Sequence, residues 1–262
     1  MTVEGKRIIV TGCASGIGAK TAKLLTERGA TVIALDRNPV TENCEQFIQI
    51  DLADEASIAA AVEQIDGRAD ALCNIAGVPP TLPPIPVIQV NFVGLRLFTE
   101  HCIPKLNDGA SIVNVSSLAG INWQASMERS KALFDVRTMA DVPAFIEAQG
   151  ISEEDCYEFS KEALTVWTMQ CWNRWQDRGI RVNAVSPSAT KTPILDDFME
   201  TVAARLKAKS KPIEGLPGPG APEDIAPIIA FLCGDDSRWL NGANLIADGG
   251  LFAARVGQRF GF

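Results

Sequence analysis

The chain is poor in residue types from which many catalytic and metal sites are built. It contains one histidine, His101, and one tyrosine, Tyr157, among 262 residues. One histidine cannot form a histidine-rich metal site, and a Ser-His-Asp triad would depend on His101, which lies in an apolar helical stretch. We therefore expect His101 to be an ordinary helix residue and the protein to hold no metal.

Long apolar runs are also missing, and we expect no secretory leader. No uninterrupted apolar stretch approaches the roughly 20 residues of a membrane-spanning helix, and the first residues lead directly into a short apolar strand pattern. The seven cysteines form no C-x-x-C pair and no cluster, which is typical of reduced, mostly buried thiols. We expect a soluble protein of the cytoplasm.

Positive charge is in deficit. The 24 lysines and arginines are outnumbered by 32 aspartates and glutamates, which leaves a formal net charge of −8 at pH 7. Such a surface repels nucleic-acid phosphates and anionic lipids, so we expect neither nucleic acid nor a membrane as a partner. Any phosphate that the protein binds must be held by local dipoles.

What the sequence does contain is a regular alternation of strand and helix patterns. Strands are predicted at 7–11, 31–35, 47–50, 69–74, 111–116, 181–185 and 244–247, and helices at 17–28, 55–65, 87–106, 157–177 and 222–233. This order predicts an α/β fold with a doubly wound parallel sheet of the Rossmann type and helices on both faces. The length is suited to a single domain over residues 1–262.

Two segments break the alternation. We interpret residues 120–156 as a helical insertion that covers neighbouring helices and partly lids the substrate pocket, with its apolar residues Trp123, Met127, Phe134 and Phe145 facing inward. Such an insertion would divert oligomerisation to another surface, so we expect a homo-oligomer, with a dimer favoured. Residues 194–222, which become rich in proline and glycine, are interpreted as a substrate loop.

The first predicted strand runs into a glycine-rich turn, Thr-Gly-Cys-Ala-Ser-Gly-Ile-Gly at 11–18, and a helix pattern opens within it. In this context Gly12 permits a tight turn, Gly16 lets the backbone approach a pyrophosphate, and Gly18 lets the helix pack on the strand. The turn therefore predicts a dinucleotide site, with contacts from Gly12, Ser15, Gly16, Ile17 and Gly18.

A carboxylate at the end of the second predicted strand, Asp36, indicates which dinucleotide binds. It can accept hydrogen bonds from both hydroxyls of the adenine ribose and would repel a 2′-phosphate, whereas the neighbouring Arg37 would attract one. We expect the carboxylate to dominate and NAD to be the cofactor. Further cofactor contacts are expected where the third and fourth strands end, at Asp51, Leu52, Asn74, Ala76 and Gly77.

The only tyrosine is followed four residues later by Lys161, at the start of a predicted helix. This spacing puts both side chains on one helix face. A free tyrosine titrates near pH 10, and a nearby ammonium favours the phenolate and lowers that value. We interpret Tyr157 and Lys161 as an acid/base pair.

These features together resemble the short-chain dehydrogenase/reductase family. The resemblance covers nearly the whole chain through the glycine turn, Asn-Ile-Ala-Gly at 74–77, Val-Asn-Phe-Val-Gly at 90–94, Ile-Val-Asn-Val-Ser-Ser at 112–117, Tyr157-x-x-x-Lys161 and Asp-Gly-Gly at 248–250. It implies four catalytic residues: Tyr157 transfers the proton, Ser117 hydrogen-bonds the substrate oxygen, Lys161 also holds the nicotinamide ribose, and Asn91 positions a water. It also implies that Tyr157, Lys161, Pro187, Thr190 and Thr192 contact the cofactor.

The long separation of Ser117 from Tyr157 resembles a subgroup of the family that carries an insertion, among them coniferyl-alcohol dehydrogenase and bacterial 3α-hydroxysteroid dehydrogenase/carbonyl reductase. The resemblance implies an NAD-dependent alcohol dehydrogenase or carbonyl reductase for a bulky, ring-bearing alcohol or ketone. An aromatic alcohol like coniferyl alcohol is favoured, and a 3α-hydroxysteroid is the alternative. A third possibility, an NAD-binding sensor without turnover, conflicts with the intact catalytic set.

Overall fold

The strands form one parallel sheet in the computed structural model, which describes residues 3–193, 195 and 218–261. Within that part of the chain the sheet has seven strands in the order β3-β2-β1-β4-β5-β6-β7, and every neighbouring pair is parallel. The strands are β1 (Arg7–Thr11), β2 (Thr31–Asp36), β3 (Gln46–Gln49), β4 (Ala69–Asn74), β5 (Leu106–Val115), β6 (Arg181–Pro187) and β7 (Asn244–Ala247).

Helices lie on both faces of this sheet, which confirms the predicted doubly wound architecture. They are α1 (Gly16–Glu27), α2 (Glu55–Glu63), α3 (Pro84–Ile88), α4 (Leu95–Cys102), α5 (Met127–Phe134), α6 (Val142–Gln149), α7 (Cys156–Gln170), α8 (Pro222–Cys233) and α9 (Leu251–Phe260). In the described residues, none of these helices is both long and apolar enough to cross a bilayer.

The core consists of two apolar layers, one on each face. On β1, Ile9 belongs to one layer, while Ile8 and Val10 belong to the other, as alternation along a strand requires. Helices α1 and α8 contribute to the second layer, and α2, α4 and α7 to the first. Because both faces are covered, the central strands are continuous apolar runs rather than alternating ones.

The direction of winding reverses between β1 and β4. The chain steps outward from β1 to β3 and then returns to place β4 on the other side of β1. The loops that leave the carboxyl ends of β1 and β4 therefore diverge and open a crevice between them. Those loops carry the glycine turn and residues 75–78.

The prediction of one continuous helix at 87–106 is wrong. The segment is divided into α3, a π-helix at Gln89–Gly94, α4 and a 3-10 turn at Ile103–Lys105, and β5 begins at Leu106 rather than at 111. The π-helix ends at Gly94, where the chain passes close to the loop after β3. A Cβ on Gly94 would lie 1.9 Å from the carbonyl oxygen of Leu52.

The helix predicted to end at 177 ends earlier, and one helix was missed. Helix α7 stops at Gln170 and is followed by 3-10 turns at Cys171–Asn173 and Gln176–Arg178, before Gly179 turns the chain with a φ of +65°. Helix α9 was not predicted. Its signal was the preceding Asp248, whose carboxylate accepts hydrogen bonds from the backbone of Gly250 and Phe252.

The segment 120–156 is helical, as expected. A 3-10 helix at Leu118–Ser126 leads into α5, a 3-10 turn at Met139–Asp141 and α6. Its interpretation as an insertion stays a prediction.

This segment packs on the helices that carry the candidate catalytic residues. The ring of Phe134 stacks on Phe92 with centroids 5.5 Å apart, and Phe145 stacks on Phe159 at 6.1 Å. The buried guanidinium of Arg96 donates to the carbonyl oxygens of Phe134, at 2.7 Å, and of Val136. Trp123 and Met127, also expected to face inward, are half-buried.

Candidate active site

The turn between β1 and α1 is shaped by glycines that leave no room for side chains. Gly12 has a φ of +77°, and a Cβ there would lie 2.8 Å from the backbone nitrogen of Ala76. A Cβ on Gly18 would lie 1.9 Å from the carbonyl oxygen of Gly12, and Gly16, with a φ of +54°, lies against Thr192. The backbone at the N-terminus of α1 therefore borders the crevice directly, which is the arrangement of an anion-binding helix terminus.

Thr11, the last residue of β1, fastens this turn to the loop after β4. Its hydroxyl accepts hydrogen bonds from the backbone of Ile75, at 3.0 Å, and Ala76, at 3.1 Å, and donates to the carbonyl oxygen of Cys73 at 3.4 Å. We did not predict this role from the sequence, although Thr11 opens the glycine motif.

Asp36 lies at the carboxyl end of β2, half-buried beside the glycine turn. One carboxylate oxygen accepts from the backbone nitrogen of Ala14 at 2.9 Å, and the other accepts from Asn38 at 2.8 Å. Each oxygen keeps a further lone pair for a ligand hydroxyl. Asp36 and the exposed Arg37 both line the crevice.

The proton-transferring candidates meet where β5 and α7 approach one another. Tyr157 and Ser117 both line the crevice, and the side chain of Ser117 acts to lower the pKa of Tyr157. Ser117 also accepts from the backbone nitrogen of Ala119 at 3.1 Å, which caps the 3-10 helix that follows β5. One turn along α7, the Nζ of Lys161 lies 5.8 Å from the ring centroid of Tyr157 and donates to the carbonyl oxygen of Val115 at 3.2 Å.

Burial governs the protonation of this pair. It raises the pKa of Tyr157 to about 12, opposed by the side chain of Ser117 and reinforced by the charge of Glu158. It also lowers the pKa of Lys161 to about 8. Desolvation has the largest effect on both groups, so the net pKa of Tyr157 lies above its ordinary value. That Lys161 favours the phenolate stays a prediction. At neutral pH Tyr157 carries its proton and can donate it.

Asn91 lies in the π-helix and is fully buried. Its amide oxygen accepts from the backbone nitrogen of Val78 at 2.8 Å, and its amide nitrogen donates to the carbonyl oxygen of Val78 at 3.1 Å. A Cβ on Gly77 would lie 3.1 Å from that amide oxygen and 3.6 Å from the Nζ of Lys161. Asn91 thus holds the loop after β4 beside Lys161, and it does not line the crevice.

Asn74, which we predicted as a cofactor contact, is buried at the end of β4. Its amide nitrogen donates to Thr99 at 2.9 Å and to the side-chain oxygen of Asn114 at 2.8 Å, and Asn114 in turn donates to Thr168. This buried network ties β4 and β5 to α4 and α7. Asn74 supports the floor of the site and is absent from its lining.

The loop after β6 borders the crevice. Pro187 ends the strand, the hydroxyl of Thr190 donates to the carbonyl oxygen of Ser188 at 3.0 Å, and that of Thr192 donates to the carbonyl oxygen of Thr190 at 3.2 Å. Of the interpreted substrate loop, residues 194 and 196–217 lie outside the described residues, whereas Leu195 lines the crevice.

A cavity of about 600 Å³ joins these parts. It runs from the glycine turn to Tyr157 along the carboxyl edge of the sheet. The predicted site residues that line it are Gly12, Ser15, Gly16, Ile17, Gly18, Asp36, Asp51, Leu52, Ala76, Gly77, Ser117, Tyr157, Lys161, Pro187, Thr190 and Thr192.

Similarity to known proteins agrees with this geometry. A family model described as short chain dehydrogenase matches residues 6–129, and one described as Enoyl-(Acyl carrier protein) reductase matches residues 142–252. A coniferyl-alcohol dehydrogenase from Pseudomonas sp. (strain HR199 / DSM 7063) is 39% identical over 98% of this chain and 100% of its own. The chain belongs to the short-chain dehydrogenase family.

This short-chain dehydrogenase is also similar to two 3-alpha-hydroxysteroid dehydrogenases. The 3-alpha-hydroxysteroid dehydrogenase/carbonyl reductase of Comamonas testosteroni is 27% identical over 97% of this chain and 99% of its own. The crystal structure of the 3-alpha-hydroxysteroid dehydrogenase from Pseudomonas sp. B-0831, complexed with NADH, matches with a TM-score of 0.81 at 28% identity, covering 95% of this chain and 98% of that one. The predicted family is confirmed, and the protein is an oxidoreductase.

Several lining residues of this short-chain dehydrogenase were not found from the sequence. Three of them lie within five residues of Ser117 or Tyr157 along the chain and could have been inferred from that proximity: Ile121, Asn122 and Glu158. Two others lie on α9, which was itself not predicted: Leu251 and Arg255.

Proposed function

We propose that this short-chain dehydrogenase transfers a hydride between NAD and an alcohol or carbonyl compound, with Tyr157 as its acid/base. The observation that carries the proposal is that Tyr157 and Ser117 line the same cavity as the glycine turn. A substrate oxygen between the hydroxyls of these two residues would meet a proton donor and a second hydrogen-bond donor together.

The residues of the crevice fit a nicotinamide dinucleotide. The glycine turn exposes the N-terminus of α1, where free backbone N–H groups and the helix dipole favour a phosphate in an otherwise acidic protein. A Cβ at Gly12 or Gly18 would close this cradle against the backbone. When bound, the cofactor would supply or accept the hydride.

We assign the catalytic roles as follows. In reduction, Tyr157 gives its proton to the carbonyl oxygen while Ser117 hydrogen-bonds that oxygen; in oxidation, the tyrosine takes the hydroxyl proton back. Lys161 is one turn away, where its positive charge favours the phenolate that oxidation requires, and it would hold the nicotinamide ribose. Asn91 serves the site by holding residues 77–78 against Lys161.

We further propose that NAD is preferred over NADP. A 2′-phosphate on the adenine ribose would approach the carboxylate of Asp36, which is fixed by Ala14 and Asn38 and cannot turn away without losing two hydrogen bonds. The exposed Arg37 is a weaker opposing influence because solvent screens it. The related 3-alpha-hydroxysteroid dehydrogenase was crystallised with NADH, which supports this assignment.

For the substrate we propose a bulky, ring-bearing alcohol or ketone, with an aromatic alcohol like coniferyl alcohol favoured. Apolar side chains suited to a ring line the cavity beside the polar catalytic groups, among them Val78, Val90, Ile121 and Leu251. The 39% identity to a coniferyl-alcohol dehydrogenase supports the aromatic alcohol. A 3α-hydroxysteroid is the second candidate, supported by similarity to two proteins named as 3-alpha-hydroxysteroid dehydrogenases.

We also propose a homodimer that works in the cytoplasm. The segment 120–156 packs on the helices that carry Asn91 and Tyr157, so that assembly must use another surface. All seven cysteines are free, which supports a reducing compartment.

A substrate panel tests the proposed function. The purified protein is incubated with NAD or NADP and with aromatic, steroid and short aliphatic alcohols, and reduced cofactor is followed by its absorbance. We expect turnover of ring-bearing alcohols with NAD and weak turnover with NADP. Binding of NADH without turnover of any alcohol or ketone would instead support the sensor alternative.

A further inference from the structure

One wall of the cavity is the 3-10 helical segment Leu118–Ser126, which is kinked at Asn122. Its first part is fixed to α7 at Lys161. A Cβ on Gly120 would lie 2.6 Å from the carbonyl oxygen of Lys161, and the hydroxyl of Ser116 donates to that same oxygen at 2.9 Å. The wall includes Ile121 and Asn122, which line the cavity. The beginning of the wall therefore cannot move independently of the catalytic helix.

The other end of the wall is fixed to the next residue of α7. The hydroxyl of Ser126 donates to the Oε2 carboxylate oxygen of Glu162, and both residues are 8% exposed. Burial raises the pKa of Glu162, while the hydrogen bond from Ser126 and the charge of Arg129 oppose that rise. Arg129 itself lies over the ring of Phe159, 4.7 Å from its centroid. A buried carboxylate is costly, so its retention here requires these partners.

We propose that Glu162 is a positioning residue that sets the width of the substrate side of the cavity. By holding Ser126 it keeps Ile121 and Asn122 at a fixed distance from the reacting hydroxyls. This inference rests on the proposed function, and it assigns to Glu162 a role in selecting ring-bearing substrates. Small alcohols do not reach the wall, so their KM does not depend on its position.

Two allylic alcohols with the same reacting group separate this role from catalysis. Cinnamyl alcohol carries a ring and allyl alcohol does not. In Glu162→Ala and in Ser126→Ala, we expect the KM for cinnamyl alcohol to rise roughly tenfold, because a loosened wall loses contact with the ring. The KM for allyl alcohol, kcat and the Kd for NADH should stay unchanged.

Further variants control the comparison. Glu162→Gln keeps an acceptor oxygen for Ser126 and should restore the KM for cinnamyl alcohol. The double variant should be no worse than either single one, since both remove the same bond. Ser130→Ala removes a buried hydroxyl of segment 120–156 that has no hydrogen-bond partner within the described part of the chain, so it should leave the KM unchanged.

Hydrogen exchange gives a readout that does not require turnover. The backbone amides of residues 118–126 should exchange faster in Glu162→Ala and Ser126→Ala than in the wild type or in Ser130→Ala. Unchanged exchange and an unchanged ratio of the two KM values, in an active wild type, would overturn the inference alone. A wild type that turns over no member of the substrate panel with either cofactor would overturn the proposed function, and the selective role with it.

Discussion

Asp36 combines a structural and a recognition role at the end of β2. Its carboxylate oxygens hold the glycine turn through Ala14 and the strand exit through Asn38, and the same group borders the cavity. A charge that is already fixed costs little to organise when a ligand arrives. The residue that orders the glycine turn is therefore also the one proposed to exclude a 2′-phosphate.

The first prediction concerns cofactor preference. Asp36→Ser removes the negative charge, so the ratio of kcat/KM for NAD to that for NADP should fall by at least roughly tenfold, which corresponds to about 1.4 kcal/mol. Steady-state kinetics with both cofactors measure it. Adding Arg37→Ala should reverse the gain with NADP; equal use of both cofactors by the wild type would defeat the assignment.

The second prediction concerns stability and pH at Lys161. Burial lowers the pKa of Lys161 from 10.5 to about 8, so the folded protein holds this ammonium at a cost that is fully present at pH 7 and disappears as pH rises through 8 to 10.5. Lys161→Met should therefore be more stable than the wild type at pH 7, by at most about 3 kcal/mol.

The advantage of Lys161→Met should shrink toward pH 10. Urea unfolding of both proteins across this range measures it, and the difference between them cancels the titration of other groups. An advantage that is constant or grows with pH would show that the amine is not desolvated.

Residue identities at this site were readable from the sequence, but their environments were not. Helical spacing was sufficient to join Tyr157 with Lys161. The rise in the pKa of Tyr157 depends on burial by distant segments, which spacing does not report. The hydrogen-bond partners of Asn74 and Asn91, Thr99 and Val78, are likewise set by packing.

At the scale of elements, strands surrounded by turn signals were predicted best. The bounds of β1, β4 and β7 agree with the prediction because each is a short apolar run that ends where polar or glycine residues begin. The π-helix at Gln89–Gly94 was not predictable, since it accompanies the tight approach of Gly94 to Leu52 in a separate loop. Local patterns therefore locate elements, and tertiary contacts decide their irregularities.

The third prediction concerns the start of α1. Gly18→Ala places a Cβ 1.9 Å from the carbonyl oxygen of Gly12, so the turn must shift or strain, at a cost of about 1–3 kcal/mol. The variant should unfold at a lower temperature and bind NADH more weakly, as measured by calorimetry. Gly218→Ala is the matched control, because among the described residues no atom lies within 4 Å of its added methyl. Wild-type affinity and stability in Gly18→Ala would contradict the described turn.

At the scale of the whole molecule, segment 120–156 covers part of the catalytic helix from within the same chain. Trp167 on α7 is 1% exposed and contacts Phe92, on which Phe134 stacks. A second copy cannot reach this covered surface without displacing the segment.

The fourth prediction concerns assembly. Light scattering should report the mass of a dimer, and cross-links between copies should avoid α5 and α7, because assembly uses a different surface. Cross-links that join α7 of one copy to α7 of another would refute this arrangement.

The central claim is that Tyr157 moves the proton, and Tyr157→Phe tests it most directly. The substitution removes only the hydroxyl and keeps the ring, so NADH should bind with wild-type affinity and the fold should be retained. With a ring-bearing alcohol that the wild type oxidises, kcat should fall by roughly 100- to 10,000-fold or more, as expected for loss of a general acid/base. A kcat near that of the wild type would contradict the account, because another group would then transfer the proton.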